Sequence, residues 1–560
     1  MAEMLIDPYE KSPKYAKAAM IFLCAGIALL GLFNFVSISI RNKRITRTKR
    51  YRRLVAFYRW IESSQPKAIG WIRFPTTGVM LLITLFWLFI GIWSFAQTPY
   101  YRSRWNVGSP PLAIRTGLFA VALFPFILAF GAKWNIVGFI VGCSHEKLQV
   151  LHQWLSHLFY GLNPHGYSQL YYSWHVSHKV YYWSGIAALI PLAWLCWASF
   201  TPIRNYSYEL FKWMHIVSAI LFSAFFYIHC NNLLTSWHYI FAAAGVYLTS
   251  VVIRFGLLFA RNGSKIARGH VEALPDNSIR VTVSLPQAAG HRWTAGQHYF
   301  VNFFKVRPLE SHPYTIANAP YVDPSSSAAP DRLVLLFRVN PLKGLGPRLL
   351  NLASTSHRST PVLLDGPYGG LASQSRDFGR HNSLLLIAGG AGITLSTSVL
   401  EEICMRVRRK EEGVRTKKIE LFWAVKNEDA KVWIEDQLAA IAEQMPDGFL
   451  TFRLFVTEPR PLDEKIGKLE MESAANSLSS SKPSVPWIIE TRRPSFPALL
   501  SERFNAAHSC QSTGITSCGP SSLTTDVRRA VAARQKEIAF GKNQGKGVGE
   551  VELHTEEFDW

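Results

Sequence analysis

The sequence predicts a multi-domain chain: an α-helical membrane bundle of about seven spans, then a small antiparallel β-barrel, then an α/β domain on a parallel sheet. Three observations predict it. Six long stretches before residue 260 carry no Lys, Arg, Asp or Glu. Short alternating apolar runs broken by Pro, Gly and Asn follow, to about residue 370. Beyond them, strand-like runs alternate with helical ones, the pattern of a parallel sheet. Composition agrees. Of 560 residues 49% are hydrophobic and only 18% charged, where soluble domains carry about 25%. Disorder, collagen and a small disulfide scaffold are excluded. Seven cysteines form no Cys-x-x-Cys pair, which removes a zinc ribbon, a cysteine-held iron–sulfur cluster and covalent c-type haem.

The uncharged stretches are 18–40, 74–101, 116–132, 148–178, 180–203 and 213–253. A span needs about 20 apolar residues in a helix, and lipid leaves no other way to satisfy the backbone. The last stretch is long enough for two helices, with Asn231, Asn232, Thr235 and Ser236 as the polar turn. The first is too long for a cleavable signal peptide, and a basic cluster follows it. Between Arg41 and Arg59 lie nine Lys/Arg and no acid. Although the net charge is +22, that local cluster reads as a membrane-orientation signal rather than a nucleic-acid patch. It puts the N-terminus outside. Seven crossings then leave Arg254, Arg261, Lys265 and Arg268 in the cytosol with everything after about residue 260. The expected divisions are 1–73 (anchor and basic loop), 74–260 (membrane domain), 261–370 (barrel) and 371–560 (α/β domain). Residues 462–486, rich in Ser, Lys and Glu, read as a disordered insert.

Ionisable groups at membrane depth are usually functional. His215 and His229 share one predicted helix, about 21 Å apart on nearly one face. His152 and His165 sit similarly on an earlier span. The pairs His152 with His215, near the cytosol, and His165 with His229, near the outside, suit bis-histidine ligation of two haems. The plainer alternative is hydrogen bonding between helices. Asn163-Pro164 interrupts the helix before His165, leaving His157, His175 and His178 as nearby substitutes. His238 reads as interfacial.

In the second half, strands are expected at 279–285, 299–304 and 333–339, the barrel ending near Pro367-Tyr368-Gly369-Gly370. An apolar strand at 383–388 runs into Gly389-Gly390-Ala391-Gly392-Ile393-Thr394 and a helix to about Arg409. Such a turn lets backbone approach a phosphate at a helix N-terminus. Further strands are expected at 419–425, 450–456, 487–490 and 514–518, the last followed by Gly519-Pro520 and a helix. Both glycine turns fall at carboxyl ends of strands, where such sheets bind ligands.

These residues resemble the ferric/cupric reductase family of fungal plasma membranes, related to the NADPH oxidases, over nearly all of 74–560. The resemblance implies a ferredoxin-reductase-like FAD and NADPH module behind a membrane domain with two b-type haems. His312-Pro313-Tyr314-Thr315 is similar to the family's flavin motif, with Thr315 near the reactive nitrogen and Tyr314 on the ring system. Gly296, Gln297 and His298 match its first flavin strand, and Arg348 a turn near the diphosphate. Gly389, Gly390, Gly392, Ile393, Thr394 and Cys518-Gly519-Pro520 match its nicotinamide-nucleotide motifs, Cys518 lying by the nicotinamide. Arg493, in Arg492-Arg493-Pro494, would fork onto a 2′-phosphate, and Trp560 would cover the flavin. The resemblance departs after Leu162, where relatives continue the helix.

By the resemblance, cytosolic NADPH gives two electrons as hydride to FAD, and single electrons cross the lipid through haem to ferric or cupric chelates or siderophores outside, ahead of a metal permease. Thr315, Cys518 and Trp560 would attend the hydride step. A superoxide-forming oxidase uses the same carriers. A flavoprotein with an impaired outer haem site is a further alternative.

Overall fold

The computed structural model describes residues 12–42, 48–67, 69–70, 74–98, 100, 111–162, 180–263, 266–286, 291–320, 332–373, 376–458, 485–507, 511–541 and 547–557. The chain divides into two compact units, one comprising 1–45 and 66–256, the other 46–65 and 257–559.

The first unit is helical. Its main helices are α1 (Pro13–Asn42), α3 (Thr77–Phe95), α4 (Pro111–Gly131), α5 (His145–Gly161), α6 (Val180–Trp197), α7 (Tyr208–Cys230) and most of α8 (Ser236–Asn262). The helix between α1 and α3, α2 (Lys49–Ser63), belongs to the second unit. Among the described residues five helices are long and apolar enough to cross a membrane, with a shorter apolar one at Trp183–Trp197. The exception, α5, opens on His145, Glu146 and Lys147 and ends at Gly161, two residues before Asn163-Pro164.

Helix α4 forms the centre of this bundle. Phe119, Ala120, Ala122 and Leu123 are wholly buried, whereas α1 and α3 leave large apolar side chains such as Leu29, Phe35, Leu85 and Ile92 exposed. Outward-facing apolar side chains are what a lipid-facing helix requires. Arg115, buried near the start of α4, donates to the Ser94 carbonyl at 3.3 Å and to that of Gln97, and lies 5.3 Å from the Tyr15 ring centre. Its charge therefore serves the orphan carbonyls at the end of α3.

The second unit begins with a six-stranded antiparallel sheet, order β4-β3-β6-β1-β2-β5. The strands are β1 (Ala267–Leu274), β2 (Ser278–Ser284), β3 (Gln297–Asn302), β4 (His312–Thr315), β5 (Arg332–Arg338) and β6 (Ser359–Gly369). A bridge from Ile316 to Leu335 links β4 back to β5 and closes the barrel. Helix α9 (Gly346–Ser354) precedes β6. Alternating burial along β1 and β2 sends Val271, Ile279, Val281 and Val283 into one core.

The parallel sheet follows, order β10-β9-β8-β7-β11-β12. It comprises β7 (Ser383–Gly389), β8 (Lys418–Val425), β9 (Leu450–Val456), β10 (Trp487–Glu490), β11 (Ser512–Gly519) and β12 (Glu550–Glu557). Strand β7 shows why both faces are covered. Leu384, Leu386 and Ala388 join the core under α10 (Ile393–Arg408) and α11 (Glu435–Ala442). Leu385 and Ile387 join the opposite core under α12 (Phe496–Ala506) and α13 (Ser521–Ala539). Near-continuous apolar strands of this kind are the mark of a doubly covered parallel sheet. The 462–486 stretch lies outside the described residues except for its last two positions.

Candidate functional site

Two histidines on different helices meet in the first unit. The His152 ring on α5 and the His215 ring on α7 have centres 6.4 Å apart, planes inclined at 60°. His152 Nδ1 lies 2.9 Å from the Ile127 carbonyl. A carbonyl only accepts, so Nδ1 carries the proton and Nε2 keeps its lone pair, the tautomer an imidazole ligand needs. Two imidazoles sharing one metal, with bonds of about 2 Å and about 1.1 Å from nitrogen to ring centre, would stand roughly 6.2 Å apart. The observed spacing fits. Nδ1 of His215 is buried without a hydrogen-bond partner. Gly131 is why α4 can lie so close: a Cβ there would stand 2.9 Å from His152 Nδ1.

A second place of this kind surrounds His229, about 21 Å along α7 from His215. A cavity there is lined by Phe159, Ala188, Leu192, Phe222, Phe226 and His229. Among the described residues its walls are apolar and the imidazole is the polar group in it. Gly185 makes the room, since a Cβ there would meet the ring at 2.8 Å. His165, the expected partner of His229, lies outside the described residues, as do His175 and His178. His157 is described: its Nδ1 bonds its own helix at the Gln153 carbonyl, 2.7 Å away.

In the barrel, His312-Pro313-Tyr314-Thr315 forms β4, paired with β3 so that Thr315 faces His298 and Tyr314 faces Tyr299. Tyr314 stacks on Phe337, ring centres 3.9 Å apart and planes 19° apart. Burial pushes its hydroxyl pKa up, and Glu310 adds to the effect. His312 Nε2 lies 3.6 Å from Glu310. Thr315 is 5% exposed. Gly296 holds φ 77°, and a Cβ there would press Leu395 on α10 at 2.8 Å. Gln297 accepts from Thr294 N at 2.8 Å. Arg348, on α9, donates to the Val306 carbonyl at 2.7 Å from an exposed position.

The two glycine motifs are adjacent. Strands β7 and β11 are neighbours, Cys518 opposite Ala388. A Cβ on Gly389 would meet Pro520 at 2.9 Å, and one on Gly392 would run into the Cys518 carbonyl. Gly390 holds φ 54° in open space. Ile393 and Thr394 begin α10, so the glycine turn leads straight into the unpaired backbone N–H groups of its first turn. Cys518 is fully buried. Arg493 is exposed just past β10, the edge strand three places from β7. Three strand spacings make about 14 Å, within the span of a dinucleotide. Trp560 lies outside the described residues, but β12 brings Glu556 and Glu557 opposite Cys518 and Gly519.

Helix α10 also carries residues that motif reading missed. Glu402 accepts from Ala295 N at 2.8 Å, Glu401 from Ala319 N at 2.9 Å, and Thr397 donates to the Ala317 carbonyl at 2.8 Å. One helix thus starts at the glycine turn and clamps the backbone on both sides of the flavin motif strands. Burial pushes both carboxyl pKa values up, against the N–H groups that favour the anions. The available signal was two adjacent acids midway along a helix of mixed polar and apolar residues.

Three family descriptions match in order: a ferric reductase like transmembrane component over 116–226, an FAD-binding domain over 264–372 and a ferric reductase NAD binding domain over 381–532. A probable cell surface ferric reductase of Aspergillus oryzae is 32% identical over 442 residues, 73% of this chain and 57% of its own length. A ferric/cupric reductase transmembrane component 7 of Saccharomyces cerevisiae is 27% identical over 72% of this chain and 64% of its own. NADPH oxidase 1 of mouse is 26% identical over 52% of this chain and 46% of its own. The chain therefore spans less than two thirds of the length of these relatives. With those three domains in one chain and those fungal relatives, the protein is a homologue of the ferric reductases, and more distantly of an NADPH oxidase.

Proposed function

We propose that this chain is an NADPH-dependent metalloreductase that carries electrons through FAD and two b-type haems to ferric or cupric chelates across the plasma membrane. The observation that carries the reading is the His152–His215 pair, at metal-sharing distance with His152 oriented by the Ile127 carbonyl. Bound haem would supply one-electron iron chemistry, and bound flavin would divide a hydride into single electrons. Everything else is the work of side chains and backbone. His152 and His215 would hold one haem. His229, with a partner at or near His165, would hold the other. The Tyr314 ring and Thr315 hydroxyl would receive the flavin, with Gly296, Gln297, His298 and Arg348 around it.

The N–H groups after Gly389-Gly390 would take the nucleotide phosphates, Arg493 a 2′-phosphate, and Cys518-Gly519-Pro520 the nicotinamide end. Trp560 would cover the flavin. The cytosolic side for these domains rests on the basic cluster between Arg41 and Arg59. The Aspergillus and Saccharomyces reductases named above match over more of the chain than the oxidase does, which favours a metal chelate over dioxygen as acceptor.

The test is a reduced-minus-oxidised spectrum of the purified chain, with anaerobic ferric-chelate reduction set beside superoxide dismutase-sensitive cytochrome c reduction. Two b-type haems per chain and oxygen-independent ferric reduction are expected. A chain without haem refutes the reading. Dismutase-sensitive activity without ferric reduction replaces it by the oxidase.

A further inference from the structure

Helix α2 carries part of the basic stretch that the sequence assigns to membrane orientation, yet one face of it is built into the α/β domain. Arg59 donates to Glu550 at 3.1 Å, to Glu552 at 2.6 Å and to the Val551 carbonyl at 3.1 Å. The same Glu552 oxygen, Oε2, also meets His381 Nε2 at 3.3 Å. These are inside contacts: the Arg59 side chain is 14% exposed and that of Glu552 11%. Burying charges costs solvation that only close, multiple hydrogen bonds offset. Burial would lower the Arg59 pKa, but the two glutamates hold it raised. Glu552, resisted by the same burial, is held well below its ordinary value by Arg59 and His381.

The grip has further points. Glu62 pairs with Arg376 at 2.7 Å. Gln65 accepts from Arg528 at 3.1 Å. Ala56 is buried in the same apolar core as Val551 and Leu553. What these contacts hold is β12, the edge of the parallel sheet. Arg528, which reaches Gln65, also binds Glu557 at 2.8 Å and Thr555 at 2.6 Å. The hold therefore runs the length of β12, from Glu550 to Glu557. Glu557 stands opposite Gly519, beside the glycine turn. An edge strand has a partner on one side only, so its position depends on what packs over it.

We propose that α2 is a positioning strap for the nucleotide site, with Arg59 its positioning residue: by fixing β12 it fixes Cys518 and Gly519 on β11. The proposal rests on reading that site as one for a nicotinamide nucleotide. It gives 49–65 a task distinct from membrane orientation. It also makes the α/β domain depend on a segment that precedes it by more than three hundred residues.

The experiment uses the full chain in detergent, as wild type, Arg59→Ala and Arg59→Lys. Four quantities are read: hydrogen exchange across 550–557, flavin content, and KM and kcat for NADPH with ferricyanide, which accepts electrons at the flavin. For Arg59→Ala the strap predicts faster exchange in 550–557 and a KM raised about tenfold, with flavin content and kcat nearly unchanged, since small displacements of a bound substrate cost this much or more. Arg59→Lys keeps one ion pair and restores most of the affinity. Should Arg59→Ala not fold, Gln65→Ala removes the Arg528 contact, leaves Arg59 in place and gives a milder shift of the same sign. Unchanged exchange and KM overturn the proposal. So does a joint fall of flavin content and kcat at constant KM, the signature of a passive cover. If the wild type does not oxidise NADPH, the nucleotide reading fails, and exchange alone decides whether α2 holds β12.

Discussion

Replacing Gly392 by alanine tests the apposition of the two glycine motifs. The added Cβ would stand 2.6 Å from the Cys518 carbonyl carbon and 3.1 Å from Gly519 N, with the carbonyl oxygen closer still. Carbon atoms pack at about 3.5 Å, so the deficit is about 0.9 Å. Neither neighbour is a side chain that can rotate away. Both belong to β11, which is held by β7 on one side and β12 on the other. The turn at 389–392 must therefore move by close to the whole deficit. A misplacement of about 1 Å costs on the order of 100-fold in rate when it displaces the reacting group. The assay is stopped-flow reduction of flavin by NADPH in the full chain without an external acceptor. Reduction about 100-fold slower at subsaturating NADPH is expected, with flavin content unchanged because β3 and β4 are untouched. A rate close to wild type would refute the claim that the two motifs form one site. Gly448→Asn is the control: it precedes β9, at the end of the sheet away from the glycine turns, enters open space at φ 76°, a conformation asparagine tolerates, and should keep the rate.

His152→Ala and His215→Ala should each remove one b-type haem signal from the reduced-minus-oxidised spectrum while flavin content stays at the wild-type level. Glu402 has its pKa raised by burial. Its contribution is thus fully present below its ordinary 4.5 and lost as pH rises through the higher folded value. Glu402→Gln keeps an acceptor for Ala295 N–H and removes that loss, so it should melt at or above wild type near neutral pH and show no gain in acid. Glu402→Ala leaves the N–H unpaired and should lose about 1–3 kcal/mol at either pH. Asp377 goes the other way. Burial would raise its pKa, but Arg406 at 2.8 Å and Arg380 at 2.9 Å lower it below 3.8. Its contribution is present above 3.8 and lost as pH falls through the depressed value. Asp377→Asn should therefore melt lower at neutral pH and converge on wild type in strong acid. Melting followed by flavin fluorescence checks both.

The membrane helices and the strand ends at Gly389 and Gly519 were legible because long uncharged runs and glycine turns are local signals. So was the end of α5 at Gly161, announced by Asn163-Pro164. Strands β1, β6 and β12 were not. The alternating burial of β1 is carried partly by Gly269 and His270, and β12 mixes glutamates with valine and leucine. Both look like polar surface until their partners are known. Helix α2 was legible as basic, but nothing near Arg59 in sequence announces Glu550 and Glu552. Their pairing spans nearly five hundred residues. Gly131 and Gly185 look like ordinary membrane glycines until the histidines they accommodate are in view.

The placement of α10 bears on how the flavin and nucleotide sites can act together. Its first turn follows the glycine turn, and its next two turns bond the backbone at Ala295, Gly296, Ala317 and Ala319. Those residues bracket β3 and β4, which carry Gln297, His298 and Thr315. Hydride transfer needs two rings at contact distance, and its rate falls steeply with misplacement. A hinge between barrel and sheet would leave that distance loose. A single helix bonded to both removes the hinge, because its backbone is stiff over three turns. The two acids at its centre pay a solvation cost for this, visible in their raised pKa values. That cost is tolerated because each carboxylate accepts from a buried backbone N–H that would otherwise go unpaired. The distance between the two ligand sites is thus set by hydrogen bonds to main chain, which substitutions on the barrel strands themselves would leave intact.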